Sequence, residues 1–165
     1  MRLAVIDANI FIDLIKLRML AWLFKIGYEI YTTQEIVDQL KDDQSGLLKE
    51  FIGSGALTVY LLSEKELEEL VRLTITKSLE LADKSVVWLA MHLKATVISG
   101  DGPLRRFCES KQLEVRGIIW FFDSLLEKQL IVPALAALKM EQLLIMNSRL
   151  PRFECERRIK EWKAE

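Results

Sequence analysis

The chain alternates short, continuous apolar runs with longer segments of helical periodicity. A strand that is apolar at successive positions must be covered on both faces, and helical crossovers between parallel strands supply that cover. Five runs have this character: Leu3 to Ile6, Tyr28 to Tyr31, Leu57 to Leu61, Thr96 to Ser99 and Leu113 to Val115. The first feeds a helical face of Ile10, Leu14, Leu17 and Leu20. Thr32 and Glu35 have capping-box spacing, which predicts a helix running on toward Asp42; Ser63 and Glu66 repeat that spacing. Gly53, Ser54 and Gly55 break the chain before the third strand. Asp83 opens a helix with the apolar face Val86, Val87, Leu89, Ala90 and Leu93, and Gly100-Asp101-Gly102-Pro103 ends the fourth strand, with Pro103 suited to the first position of the next helix. Beyond Gly117 the pattern is helical, interrupted at Pro133 and near Asn147 to Pro151. The expected architecture is a three-layer α/β fold with a central, mainly parallel sheet of about five strands flanked by helices. It is read as one domain over residues 1–165, in which about 117–165 form a helical C-terminal extension.

A chain of 165 residues buries roughly two thirds of its unfolded surface, enough to fold without a disulfide or metal. The net charge of −1 marks no global attraction to nucleic acid or membrane, so any such site is a local patch. Two cysteines, Cys108 and Cys155, and a single histidine, His92, exclude a thiolate zinc site. Lone thiols without a disulfide framework point to a cytoplasmic protein. The amino terminus reaches Asp7 too early for the apolar region of a signal peptide. The apolar stretch from Gly117 to Phe122 stops at Asp123, short of the ~20 residues a membrane span needs, so no membrane partner is expected.

Ligands of open parallel sheets bind beyond the carboxyl ends of the strands, where strand order reverses. Asp7 follows the first strand, Asp101 follows the fourth, and Asp83 begins the helix that leads into the fourth. Were these strands neighbours, three carboxylates would converge. Two like charges ~4 Å apart repel by about 4 kcal/mol at an effective dielectric of 20. A proton or a divalent cation must relieve that repulsion. Oxygen-only ligands favour Mg²⁺ or Mn²⁺, which activate water and stabilise the leaving oxygen in phosphodiester hydrolysis. Each Asp on its own also reads as a helix cap. The Gly-rich loop of phosphate-loop NTPases is absent, as is a dinucleotide fingerprint.

Val5-Ile6-Asp7-Ala8-Asn9-Ile10, Asp83-Lys84-Ser85-Val86-Val87-Trp88-Leu89-Ala90 and Thr96-Val97-Ile98-Ser99-Gly100-Asp101-Gly102-Pro103-Leu104-Arg105 resemble, in order, three acidic motifs of the PIN-domain ribonucleases. The helical tail is similar to that of a prokaryotic subgroup, the VapC-like toxin group. The resemblance implies a metal-dependent endoribonuclease with Asp7, Asp83 and Asp101 as catalytic metal ligands for Mg²⁺ or Mn²⁺. It also implies an RNA substrate, an antitoxin partner and homodimerisation; the apolar tail residues Leu135, Leu138, Leu143 and Ile145 fit a dimer contact and equally a role in closing the protein's own core. Asn9 corresponds to the family's small polar residue beside the first acid. Arg105 and Arg106 stand where they could contact an RNA phosphate, or simply form a solvated helix face.

The family's second motif carries a Glu shortly before Leu, and Gln39 occupies that place in Thr33-Gln34-Glu35-Ile36-Val37-Asp38-Gln39-Leu40. A Gln carbonyl can orient water but brings no charge. Glu35 lies one turn earlier on the same face, with its capping-box role as the competing reading. Asp38 points about 100° away around the helix, and Asp42 lies one turn farther from the strand end. The sequence leaves the choice among them open. Gln39 also motivates a second functional reading, a PIN scaffold that binds RNA or protein without cutting. His92 reads as solvent-facing, and Trp120, Phe121 and Phe122 as core.

Overall fold

A computed structural model describes residues 2–73 and 79–165; Met1 lies outside the described residues. Five parallel strands lie side by side in the order β3-β2-β1-β4-β5. They are β1 (Arg2–Ile6), β2 (Tyr28–Thr33), β3 (Leu57–Tyr60), β4 (Thr96–Ile98) and β5 (Val115–Arg116). The central strand pairs with β2 through Val5 opposite Tyr31 and with β4 through Ile6 opposite Ile98. The chain therefore winds outward from β1 in one direction and then in the other, and the reversal falls between β1 and β4. Ala4, Val5 and Ile6 have no exposure, as continuous apolar strands between two helical layers require.

The connecting helices are α1 (Ala8–Lys16), α2 (Leu20–Leu23), α3 (Gln34–Gln39), α4 (Asp42–Gly53), α5 (Glu64–Arg72), α6 (Leu81–Leu93) and α7 (Gly102–Ser110). The expected first helix is split, because Arg18 takes a left-handed φ of 57° between α1 and α2. Gly55, with φ 77°, turns the chain from α4 into β3, a conformation that glycine adopts without a Cβ clash. The Ser63–Glu66 capping box forms as read: Ser63 Oγ accepts the Glu66 N–H, and Glu66 accepts the Ser63 N–H at 2.8 Å.

The Thr32–Glu35 capping box does not form. Thr32 stays in β2, fully buried, and its hydroxyl donates to the Ile6 carbonyl at 2.9 Å. Thr33 caps α3 instead, accepting the Ile36 N–H. Tertiary pairing extends the strand by two residues and shifts the cap by one. The helix also ends at Gln39, and α4 starts afresh at Asp42. Three smaller shifts follow the same pattern: α6 begins at Leu81 with Glu80 as its N-cap, Pro103 takes the second position of α7, and β5 lies at Val115–Arg116.

The C-terminal extension consists of α8 (Ile118–Glu127), α9 (Pro133–Met146) and α10 (Arg152–Ala164). Phe121, Phe122, Met140, Leu143 and Trp162 are at most 2% exposed and join the main core. Leu138 and Ile145 remain exposed, so the apolar stripe of α9 is divided between core and surface. Two polar contacts fasten α9 to α1. Lys139 donates to the Leu17 carbonyl at the C-terminus of α1, where a cation is favoured. Asn147 donates its amide to both carboxylate oxygens of buried Asp13, at 3.0 and 3.1 Å. No described helix is long and apolar enough to cross a membrane.

Burial pushes Asp13 up to about 6, while the Asn147 amide and Lys16 pull in the other direction. The folded value lies above the ordinary 3.8. The group therefore favours the folded state fully below the unfolded value, and that contribution is lost as pH rises through about 6. Between pH 5 and 8 the parent should lose roughly 1 kcal/mol of unfolding free energy relative to Asp13→Asn, read by urea denaturation. A pH-independent difference between the two proteins would contradict this.

Candidate active site

The end of β1 delivers Asp7 into the cleft between β1 and β4, where only 3% of the residue is exposed. It caps α1, with Oδ1 accepting the Ala8 N–H at 2.7 Å. Its Oδ2 accepts from the Asn9 amide and from the Ser99 hydroxyl, both at 2.6 Å. Asn9 then accepts the Gly100 N–H at 2.9 Å, and Ser99 Oγ accepts the Asp101 N–H at 3.0 Å. This network ties the ends of β1 and β4 together and holds Asp101 at the start of α7. There Asp101 Oδ2 accepts the Leu104 N–H as the helix cap, at 2.9 Å.

Asp83 arrives from the other side. It sits in the first turn of α6 and accepts the Glu80 N–H at 3.0 Å. Ser85 donates its only hydroxyl hydrogen to the Ala82 carbonyl at 2.6 Å, so the 2.6 Å contact between the Thr33 and Ser85 hydroxyls has Thr33 as donor. Both residues are fully buried. This contact docks the first turn of α6 on the end of β2 and so places Asp83 at the carboxyl edge of the sheet.

The electrostatics show that the three acids sense one another. Burial pushes Asp7 up to about 6; the Ser99 hydroxyl and Ala8 N–H offset part of that, and the charges of Asp83 and Asp101 add to it. Asp83 is also raised, chiefly by burial, then by Asp101 and Glu80. Among the described residues, no three acidic, histidine or cysteine side chains are close enough to enclose an ion. The acids form a loose ring.

Gln39 is exposed, and its amide donates to Glu80 Oε2 at 3.3 Å. The position without a charge therefore touches a carboxylate from the N-cap of α6, one helical turn before Asp83. Glu35, released from capping, is half-buried, and its Oε2 is enclosed without a donor among the described residues. Asp38 is exposed and accepts from Gln34, and Asp42 is exposed at the start of α4.

Arg105 reaches toward Glu109 at 3.9 Å and the Val115 carbonyl at 3.5 Å. Arg106 extends over Gly102, where an added Cβ would lie 3.4 Å from its Nη1. His92 is exposed and stacked on Trp88, while Phe121 and Phe122 are core and Trp120 is half-buried. Burial pushes the Cys108 and Cys155 thiols up to about 12 and 11, which makes them inert near neutral pH.

Sequence reasoning missed Ser99, the Thr33–Ser85 contact and Glu80. A small polar residue directly after an apolar strand was the available signal for Ser99. Glu80 had none, because its relation to Gln39 spans 41 residues.

The chain matches the model of the family described as DUF3368, a PIN domain, over residues 3–164. It belongs to the PIN-domain family. No curated protein matches it. Among solved structures it is similar to a PilT N-terminus domain protein, SSO1118, from the hyperthermophilic archaeon Sulfolobus solfataricus P2. The identity is 14%, the match covers 74% of this chain and 93% of that one, and the TM-score is 0.47. PIN domains are nuclease-type folds that generally depend on divalent metals.

The donor set of this PIN domain fits such an ion. Asp7, Asp83 and Asp101 all offer oxygen, and among the described residues the buried charge of Asp7 has no cationic partner. Mg²⁺ keeps several waters and takes one or two carboxylates plus substrate oxygens, so a loose acidic ring suits it better than a tight cage would.

Ser99→Ala would leave the Asp7 carboxylate one donor short in a buried position. It should lower unfolding free energy by roughly 2 kcal/mol in urea titrations. A loss below a few tenths would mean that water replaces the hydroxyl.

Proposed function

We propose that this PIN domain is a divalent-metal-dependent endoribonuclease of the cytoplasm. Asp7, Asp83 and Asp101 would hold Mg²⁺ or Mn²⁺. The observation that carries the reading is the mutual electrostatic influence of these three acids at the strand-order reversal, around an Asp7 that is buried and, among the described residues, has no cation beside it. The ion, when bound, supplies charge neutralisation, an activated water and stabilisation of the leaving oxygen.

The chain's own residues do the positioning. Ser99 and Asn9 hold the Asp7 carboxylate in one orientation. Capping of α7 holds Asp101, and the Thr33–Ser85 contact holds Asp83 through its helix. Glu80, in contact with Gln39, would supply the charge that Gln39 lacks. Arg106 is the nearer candidate for an RNA phosphate; Arg105 reaches one only by leaving Glu109. A toxin role is part of this proposal, with an antitoxin or a second copy covering exposed Leu138, Ile145 and Phe153.

A Mn²⁺ titration followed by calorimetry, alongside cleavage of single-stranded RNA, tests the reading. Asp7→Asn and Asp101→Asn should each reduce cleavage by about 100-fold or more. A parent that cuts no faster than these variants would leave a non-cutting RNA- or protein-binding module as the function.

The role of Glu80 has its own test. Glu80→Gln should weaken Mn²⁺ binding by about 10-fold, and the exchange Gln39→Glu with Glu80→Gln should restore it. Failure of the exchange to restore binding would show that the two positions are not equivalent.

A further inference from the structure

Beside the acidic edge lies a hollow of about 150 Å³, bordered by Asn9, Gly100, Asp101 and Gly102 on one side and by Asn147 and Arg149 on the other. At ~30 Å³ per water it has the volume of about five waters, which is room for a phosphate group. Arg149 belongs to the turn between α9 and α10, so the C-terminal extension reaches the site that the sheet builds.

That turn is held from the core. Asn147 donates to buried Asp13 and accepts the Arg149 backbone N–H on its Oδ1 at 3.0 Å. The backbone of Arg149 is thereby fixed while its side chain stays exposed. The charges around it differ. Arg152 pairs with Glu156, Arg157 with Glu154, Arg158 with Asp123, and Lys163 with Glu141. Among the described residues Arg149 has no carboxylate or hydrogen-bond partner for its guanidinium, and of these tail cations it alone borders Asp101. Arg106 lies over the same Gly102.

We propose that Arg149 binds a backbone phosphate of single-stranded RNA next to the one being cut, with Arg106 on the other side of Gly102. The inference rests on the nuclease reading and adds a substrate contact from the tail. A guanidinium suits this role because it stays charged and presents paired donors to phosphate oxygens. A local cationic pair also explains how a chain of net charge −1 can draw a polyanion to an acidic edge.

The test compares the parent with Arg149→Ala, Arg149→Lys and Arg152→Ala. Binding of a labelled single-stranded RNA is measured in Ca²⁺ over a range of salt, with the RNA checked for cutting, and Mn²⁺ affinity is measured separately. One phosphate contact on a single strand contributes about 0.7 to the slope of log affinity against log salt. Arg149→Ala should lower the slope by about 0.7, raise Kd, and leave Mn²⁺ affinity unchanged. Arg149→Lys should retain the slope, and Arg152→Ala should match the parent. An Arg149→Ala protein with the parent's slope and Kd overturns this inference while leaving the nuclease standing. A parent that neither binds nor cuts RNA overturns both.

Discussion

A carboxylate buried at the end of the central strand governs much of this molecule. Asp7 is almost without solvent, and its three donors offset only part of the cost of its charge. Two of those donors, Asn9 and Ser99, also bind the backbone of the Gly100–Asp101 turn, so stabilising the acid and closing the β1–β4 edge are one event. The edge where the sheet changes direction is thus the place where negative charge accumulates. A nuclease-type fold can use that arrangement because a divalent ion converts the repulsion into affinity.

The helical extension has two roles. Its apolar residues complete the core, and its polar residues attach at specific points: Lys139 at the end of α1 and Asn147 at Asp13. The second attachment carries the α9–α10 turn to the rim of the acidic cleft. A segment that reads in sequence as a helical extension therefore also borders the acidic edge.

Legibility in the sequence followed the range of the interactions. The strand–helix alternation, the Ser63–Glu66 capping box and the three Asp positions depend on neighbours within a few residues, and all were readable. The Thr32–Glu35 box failed because Thr32 is claimed by the Ile6 carbonyl on the adjacent strand, a partner 26 residues away. That one-residue shift leaves Glu35 free of its expected role. Gln39 reads in sequence as the loss of a charge, and the contact of its amide with Glu80 is visible only in the fold. In the tail, pairing separates Arg149 from Arg152, Arg157, Arg158 and Lys163, whose charges are already neutralised.

The sequence by itself determined the layer architecture, the family and the order in which the acids appear, because apolar periodicity and short motifs are local properties of the chain. Only the tertiary structure decided which acids face one another, which hydroxyls orient them and which arginine of the tail borders the cleft. Those outcomes depend on strand order and helix docking, which bring together groups such as Asp7 and Ser99, 92 residues apart.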